Sequence, residues 1–124
     1  MFSAYIMNLA SHLWGKKWRM VIMYTLRDGP MRFSQIKTQL PGCSVKVLSE
    51  CLQELEQNKI ILRKQYSTIP VKVTYELYDD MGELMACQVI YRKALAGFFL
   101  SRAADFHLSE EVIRQLKEEQ VSSQ

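Results

Sequence analysis

No stretch of this sequence approaches the ~18 uncharged apolar residues that a membrane-spanning helix requires, which excludes an integral membrane protein of the helical kind. The apolar start from Met1 to Trp14 has no early basic cluster and no clear small-residue cleavage site, so it does not read as a signal peptide. Cysteine is scarce and odd in number. Cys43, Cys51 and Cys87 stand at no metal-binding spacing, which fits reduced thiols in a cytoplasmic protein rather than a disulfide framework. His12 and His107 have no partner at metal or catalytic spacing. Nucleophile–base pairs, a glycine-rich phosphate loop and paired carboxylates in a polar setting are all missing. These absences argue against an enzyme, a metal centre or a cofactor. There is also no internal repeat and no low-complexity linker; only the Val121–Gln124 tail looks frayed.

What remains is ordinary in amount and unusual in arrangement. With 124 residues, 48% apolar and 23% charged, the chain reads as one soluble globular domain spanning residues 1–124. Its charge is segregated. Residues 12–78 hold eleven basic side chains against five acids, whereas residues 79–124 hold five against eight. A basic module followed by an acidic one suggests that the first part meets phosphate, although charge also serves simply to solvate a surface.

The basic part carries a recognisable order of elements. Phe2, Tyr5, Ile6 and Leu9 give a short first helix an apolar face. A second helix is predicted from about Lys17 to Arg27 on Trp18, Val21, Ile22, Thr25 and Leu26, stopped by Gly29-Pro30. Arg32-Phe33 suggest a brief strand, and Ser34 an N-cap for a short helix carrying Ile36 and Leu40. Pro41-Gly42 turn the chain into a helix from Ser44 to Leu55, whose apolar residues Leu48, Leu52 and Leu55 recur at helical spacing. Val45, Val47 and Cys51 flank that stripe, and Lys46, Ser49, Glu50 and Gln53 point away from it. Strands Ile60–Tyr66 and Val71–Leu77 follow, joined by Ser67-Thr68-Ile69-Pro70, with Val71, Val73, Tyr75 and Leu77 in strand alternation.

The fold class is therefore mainly α with a small β-hairpin wing: a winged helix-turn-helix with additional N- and C-terminal helices. The DNA-binding core is about 15–78, and the helices assigned to dimerisation are about 2–12 and 79–120. Asp79 or Asp80 caps a long helix reaching roughly to Ala103, with Gly97 as a weak point, and Cys87 on an apolar face. Ser109 caps the last helix, and Leu108 is placed to pack on Ile113 as a hydrophobic staple. The apolar surface of these terminal helices exceeds what one small domain needs, so Phe2, Tyr5, Leu9, Met85, Val89 and Phe98 are the expected interface of a homodimer.

On these residues the chain resembles the HxlR family of bacterial winged-helix transcriptional regulators, relatives of the MarR group. The matching pieces are Gly15-Lys16-Lys17-Trp18, Gly29-Pro30-Met31-Arg32-Phe33-Ser34-Gln35-Ile36, Pro41-Gly42-Cys43-Ser44, Leu48-Ser49-x-x-Leu52-x-x-Leu55-Glu56 and Pro70-x-x-Val73-x-Tyr75-x-Leu77, in order over residues 14–85. The resemblance implies a homodimer on a pseudo-palindromic operator. The cysteine that many members carry near the start of the first helix falls near Tyr5, and no cysteine precedes Cys43, so that sensing mechanism does not transfer. Lys59 stands where the family has glycine, with Asn58 before it to take up the left-handed conformation.

Double-stranded DNA is thus the expected partner, with no membrane involved. Lys46, Ser49 and Gln53 share the exposed face of the recognition helix and carry groups that pair with base edges. Arg32 suits a phosphate or a structural ion pair; Ser44 serves first as an N-cap; Lys64 and Lys72 lie on the wing strands; Lys17 opens a helix whose end can face the backbone. Two other readings stay open. Glu50, Glu54 and Glu56 keep alive a winged helix that binds protein instead of DNA. A small-molecule or thiol sensor built on a non-family cysteine or an interface pocket is the other.

Overall fold

The computed structural model describes residues 4–122 and forms two compact units, Met1–Met81 and Gly82–Gln124. In the first, α1 (Ala4–Trp14) ends where Gly15 donates its N–H to Ser11 O at 2.9 Å. A Cβ on Gly15 would lie 2.4 Å from that same oxygen, so only glycine closes this turn. α2 (Lys17–Thr25) buries Ile22, Met23 and Thr25, and Leu26 just beyond its end is buried too. The sequence stripe missed Met23 and placed Trp18 and Val21 inside, where both are only half-buried. Apolar residues run almost around this helix, so periodicity alone left its rotation undetermined. Thr25 is accommodated because its hydroxyl donates to Val21 O at 2.8 Å.

Gly29, at φ 136°, turns the chain into Pro30 and Met31. Met31 exchanges two backbone hydrogen bonds with Tyr75, at 2.9 and 2.8 Å, and so forms a one-residue third strand. The expected strand at Arg32-Phe33 therefore sits one step earlier. Arg32 is already the N-cap of α3 (Phe33–Gln39), in place of the expected Ser34, and its N–H donates to Gln35 Oε1 at 2.8 Å. α4 (Val45–Gln57) follows the Pro41-Gly42 turn, and the antiparallel hairpin pairs β1 (Ile61–Tyr66) with β2 (Lys72–Leu77), from Ile61 opposite Leu77 to Tyr66 opposite Lys72. Val71 lies outside the strand and is exposed, whereas Thr74, expected on the polar side, is buried. One core unites α2, α3, α4 and the hairpin base through Ile22, Leu26, Ile36, Leu48, Leu52, Leu55 and Ile61. Each of these side chains contributes roughly 1.5–3 kcal/mol when fully buried.

The second unit is a helix pair preceded by a 3-10 turn at Asp79–Met81. α5 (Gly82–Leu100) stops three residues short of the expected Ala103 and runs through Gly97 unbroken. Gly97 does not mark a break; a Cβ there would meet only the tip of the Gln120 side chain of α6 (Glu110–Val121), Nε2 at 3.0 Å. Phe99 stacks edge-on against Phe98 and Phe106 at 5.1 and 5.0 Å, and Arg92 meets Glu119 at 3.4 Å. Ser109 caps α6 as expected, its Oγ accepting from the Val112 N–H at 3.2 Å.

Candidate nucleic-acid interface

The interface is built on the amphipathic character of α4. Ser44 Oγ accepts the Val47 N–H at 3.1 Å, which satisfies one of the unpaired donors at the helix start and fixes where the helix begins. Leu48, Cys51, Leu52 and Leu55 face inward. With that face committed to the core, about 100° per residue places Lys46, Ser49, Glu50 and Gln53 on the opposite side, and all four are exposed. Among the described residues the side chains of Lys46, Ser49 and Gln53 have no hydrogen-bond or ion-pair partner, so their donors and acceptors stand open.

Glu54 behaves differently. Its carboxylate accepts from Arg19 Nη2 at 2.9 Å and Lys16 Nζ at 3.2 Å, tying α4 to the start of α2. These two cations hold the Glu54 carboxyl below the usual carboxylate range. Arg19 also donates to the carbonyls of Ser11 and His12, so the same guanidinium fastens the end of α1. The acid that the sequence left open for a protein partner is therefore occupied within the fold.

The C-terminal end of α4 sets the position of the hairpin. Ile60 N–H bonds to Leu55 O at 2.9 Å and Lys59 N–H to Glu56 O at 3.1 Å, the double closure of a Schellman turn. Lys59 takes the left-handed conformation at φ 61°, whereas Asn58, expected to take it, has φ −84°. Ile60 and Leu55 are both buried at this closure.

The strand register sorts the cations of the wing. Lys64 pairs with Glu76, which raises its ammonium pKa, and Lys72 lies over the Tyr66 ring at 5.3 Å. Both belong to the face that carries Thr74. Arg63 has the other parity, opposite Tyr75 and in line with the buried Ile61. It lines an open cleft of about 380 Å³ with Phe33, Ser49, Gln53, Glu56 and Tyr75. The structure thus brings Ser49 and Gln53 together with Arg63, which the sequence reading did not single out, and sets Lys64 and Lys72 apart from them. Strand alternation held that signal, because Arg63 shares parity with Ile61. Arg32 is exposed at the start of α3, and Lys17 folds its ammonium over Trp18 at 4.6 Å.

The thiols divide. Cys43 and Cys51 are buried, and burial pushes the Cys51 thiol pKa up. Cys87, placed on an apolar helix face by the sequence, is exposed. Of the expected dimer residues, Phe2 lies outside the described residues. Tyr5 and Leu9 are exposed on α1, Phe98 is exposed on α5, and Met85 and Val89 are half-buried on the side of α5 that carries Gln88 and Ala96. The open face of α5 instead runs along Ile90, Tyr91, Leu95 and Phe98.

A family model for HxlR-like helix-turn-helix proteins matches residues 13–97, from the end of α1 through the hairpin and most of α5. The chain belongs to the HxlR-like helix-turn-helix family. It is a DNA-binding transcriptional regulator of that family and carries its winged helix. Among its relatives, it is 44% identical over 80 residues to the HTH-type transcriptional regulator YodB of Bacillus subtilis, covering 64% of this chain and 71% of YodB. It is 45% identical over 72 residues to an uncharacterized HTH-type regulator of Halalkalibacterium halodurans, covering 57% of this chain and 64% of that relative, just under two thirds of its length. The reduced form of YodB superposes with a TM-score of 0.64 at 38% identity, covering 77% of this chain and 90% of YodB. YodB has also been crystallised after diamide treatment and with quinone bound. The HTH-type regulator YtcD gives a TM-score of 0.70 at 30% identity, covering 79% and 98% of the two chains.

Proposed function

We propose that this regulator acts as a homodimer in the cytoplasm, reading a pseudo-palindromic operator with the outer face of α4 and acting by binding rather than by catalysis. Its single carrying observation is the unpartnered polar face of α4. Lys46 can donate to guanine O6 and N7, Gln53 can pair bidentately with adenine, and Ser49 can serve base or phosphate. Ser44 stays occupied as the cap, while Arg32, Lys17, Lys64 and Lys72 contribute positive charge around the reading face. The open apolar face of α5, with Tyr91, Leu95 and Phe98 exposed, supports pairing with a second copy. Among the described residues no helix is long and apolar enough to cross a membrane.

The test is fluorescence anisotropy of the full chain on a duplex from its own upstream region and on a random duplex. Gln53→Ala is expected to relax preference at particular operator positions, by about 1–3 kcal/mol of discrimination each. Equal affinity of the wild-type chain for both duplexes at physiological salt would remove direct readout. With Glu54 committed to Arg19 and Lys16, the protein-binding reading then rests on Glu50 and Glu56 alone.

A second reading has one observation behind it: Cys87 is exposed, and the relative YodB has diamide-treated and quinone-bound forms. In that reading thiol modification on α5 alters DNA binding. Diamide should then weaken operator binding in the wild-type chain and leave Cys87→Ser unaffected.

A further inference from the structure

We propose that Arg63 is a DNA-backbone contact, its guanidinium holding a phosphate of the strand that passes through the cleft between α4 and the hairpin. The inference rests on α4 docking in the major groove as proposed above. That groove is about 12 Å wide, and a helix with its side chains measures about 10–12 Å across, so a docked helix fills it. What lies beside such a helix is sugar and phosphate, not base edges. Arg63 stands there: it lines the cleft along the flank of α4 marked by Ser49, Gln53 and Glu56.

Competition among the wing cations favours the same residue. Lys64 is engaged by Glu76, and Lys72 covers Tyr66 on the opposite face of the hairpin. Arg63 is exposed, and among the described residues its side chain has no hydrogen bond, ion pair or ring contact. A planar fork of N–H donors matches two phosphate oxygens at once, which a lysine ammonium does not. Glu56 lines the cleft without an ion pair to Arg63 and brings negative charge close to where the phosphate would sit. Removing that charge should therefore tighten binding to any duplex.

The experiment measures affinity for the two duplexes over a range of salt, using full-length wild type, Arg63→Gln, Arg63→Lys, Glu56→Gln and Lys64→Gln, with thermal unfolding as the control. Arg63→Gln is expected to weaken both duplexes by the same factor, roughly tenfold. It should also lower the slope of log affinity against log salt by about 0.9. Arg63→Lys should keep the slope, Glu56→Gln should strengthen both duplexes, and Lys64→Gln, whose ammonium is already paired with Glu76, should lower the slope by less than Arg63→Gln does. An unchanged slope in Arg63→Gln overturns the proposal, and so does a loss confined to the operator, which would make Arg63 a base reader. Should Arg63→Gln fail to fold, unchanged affinity in Glu56→Gln overturns it instead. Lys46→Ala separates this failure from that of the docking itself. Weakened binding there with a silent Arg63 rejects only the present proposal, whereas silence at both positions rejects the docking.

Discussion

α4 and α5 are both rich in apolar residues, yet they treat them in opposite ways. α4 gathers Leu48, Cys51, Leu52 and Leu55 on one side and buries all four. α5 carries apolar residues around most of its circumference, fully buries only Gln88 and Ala96, and leaves Ile90, Tyr91, Leu95 and Phe98 at 69%, 52%, 37% and 45% exposure. Within one chain, then, a helix whose outer face is polar and open sits in the basic unit, and a helix whose outer face is apolar and open sits in the acidic one. The first suits a charged, hydrated partner; the second suits another apolar surface.

The sharpest way to break this contrast is to empty the α4 core. Leu52→Ala should cost about 2–5 kcal/mol of stability, measured by urea denaturation, because the site is enclosed on all sides. If the cost is below 1 kcal/mol, the packing described for α4 is wrong. Next in size, Leu95→Glu with Phe98→Glu should leave far-ultraviolet circular dichroism intact and weaken self-association more than tenfold by analytical ultracentrifugation. A double variant that sediments as wild type would remove α5 from the interface. Lys59→Gly should raise stability by about 1 kcal/mol, since a left-handed residue with a Cβ is strained and glycine is not. The smallest effect concerns pH. The Glu54 carboxyl titrates below its unfolded value, so its contribution is present at neutral pH and lost as acid protonates it in the folded state. Glu54→Gln should therefore be less stable than wild type at pH 7, and the gap should close as the pH falls through the carboxylate range.

How much of this was legible in the sequence follows from the same contrast. The α4 stripe, its Ser44 cap and the Ser109 cap were readable because each depends on residues within one or two turns. The sides of α2 and α5 were not readable, because a helix that is apolar almost all round gives periodicity nothing to choose between. Met23 was missed and Cys87 misplaced for that reason. Thr74 looked polar and outward, yet it is buried, while Val73 and Tyr75 on the other face of β2 are only half-buried. At the site, Glu54 looked available because its partners lie 35 and 38 residues away, a separation over which local pattern carries no information. The wing cations were recognised as a group, but which of them share a face with the recognition helix depends on strand parity and on the Lys64–Glu76 pair.

Three residues, Asn58, Lys59 and Ile60, separate the end of α4 from the first residue of β1, and their backbone is closed by two hydrogen bonds. The helix and the hairpin are therefore two jaws of a caliper with no adjusting screw. A gauge of fixed opening responds to the width of whatever enters it, and the width of a DNA groove varies with sequence even at base pairs that no side chain touches. In the docking proposed above, the short closed link would make the placement of the hairpin follow that of α4, so that binding would respond to the form of the duplex as well as to the identity of its bases.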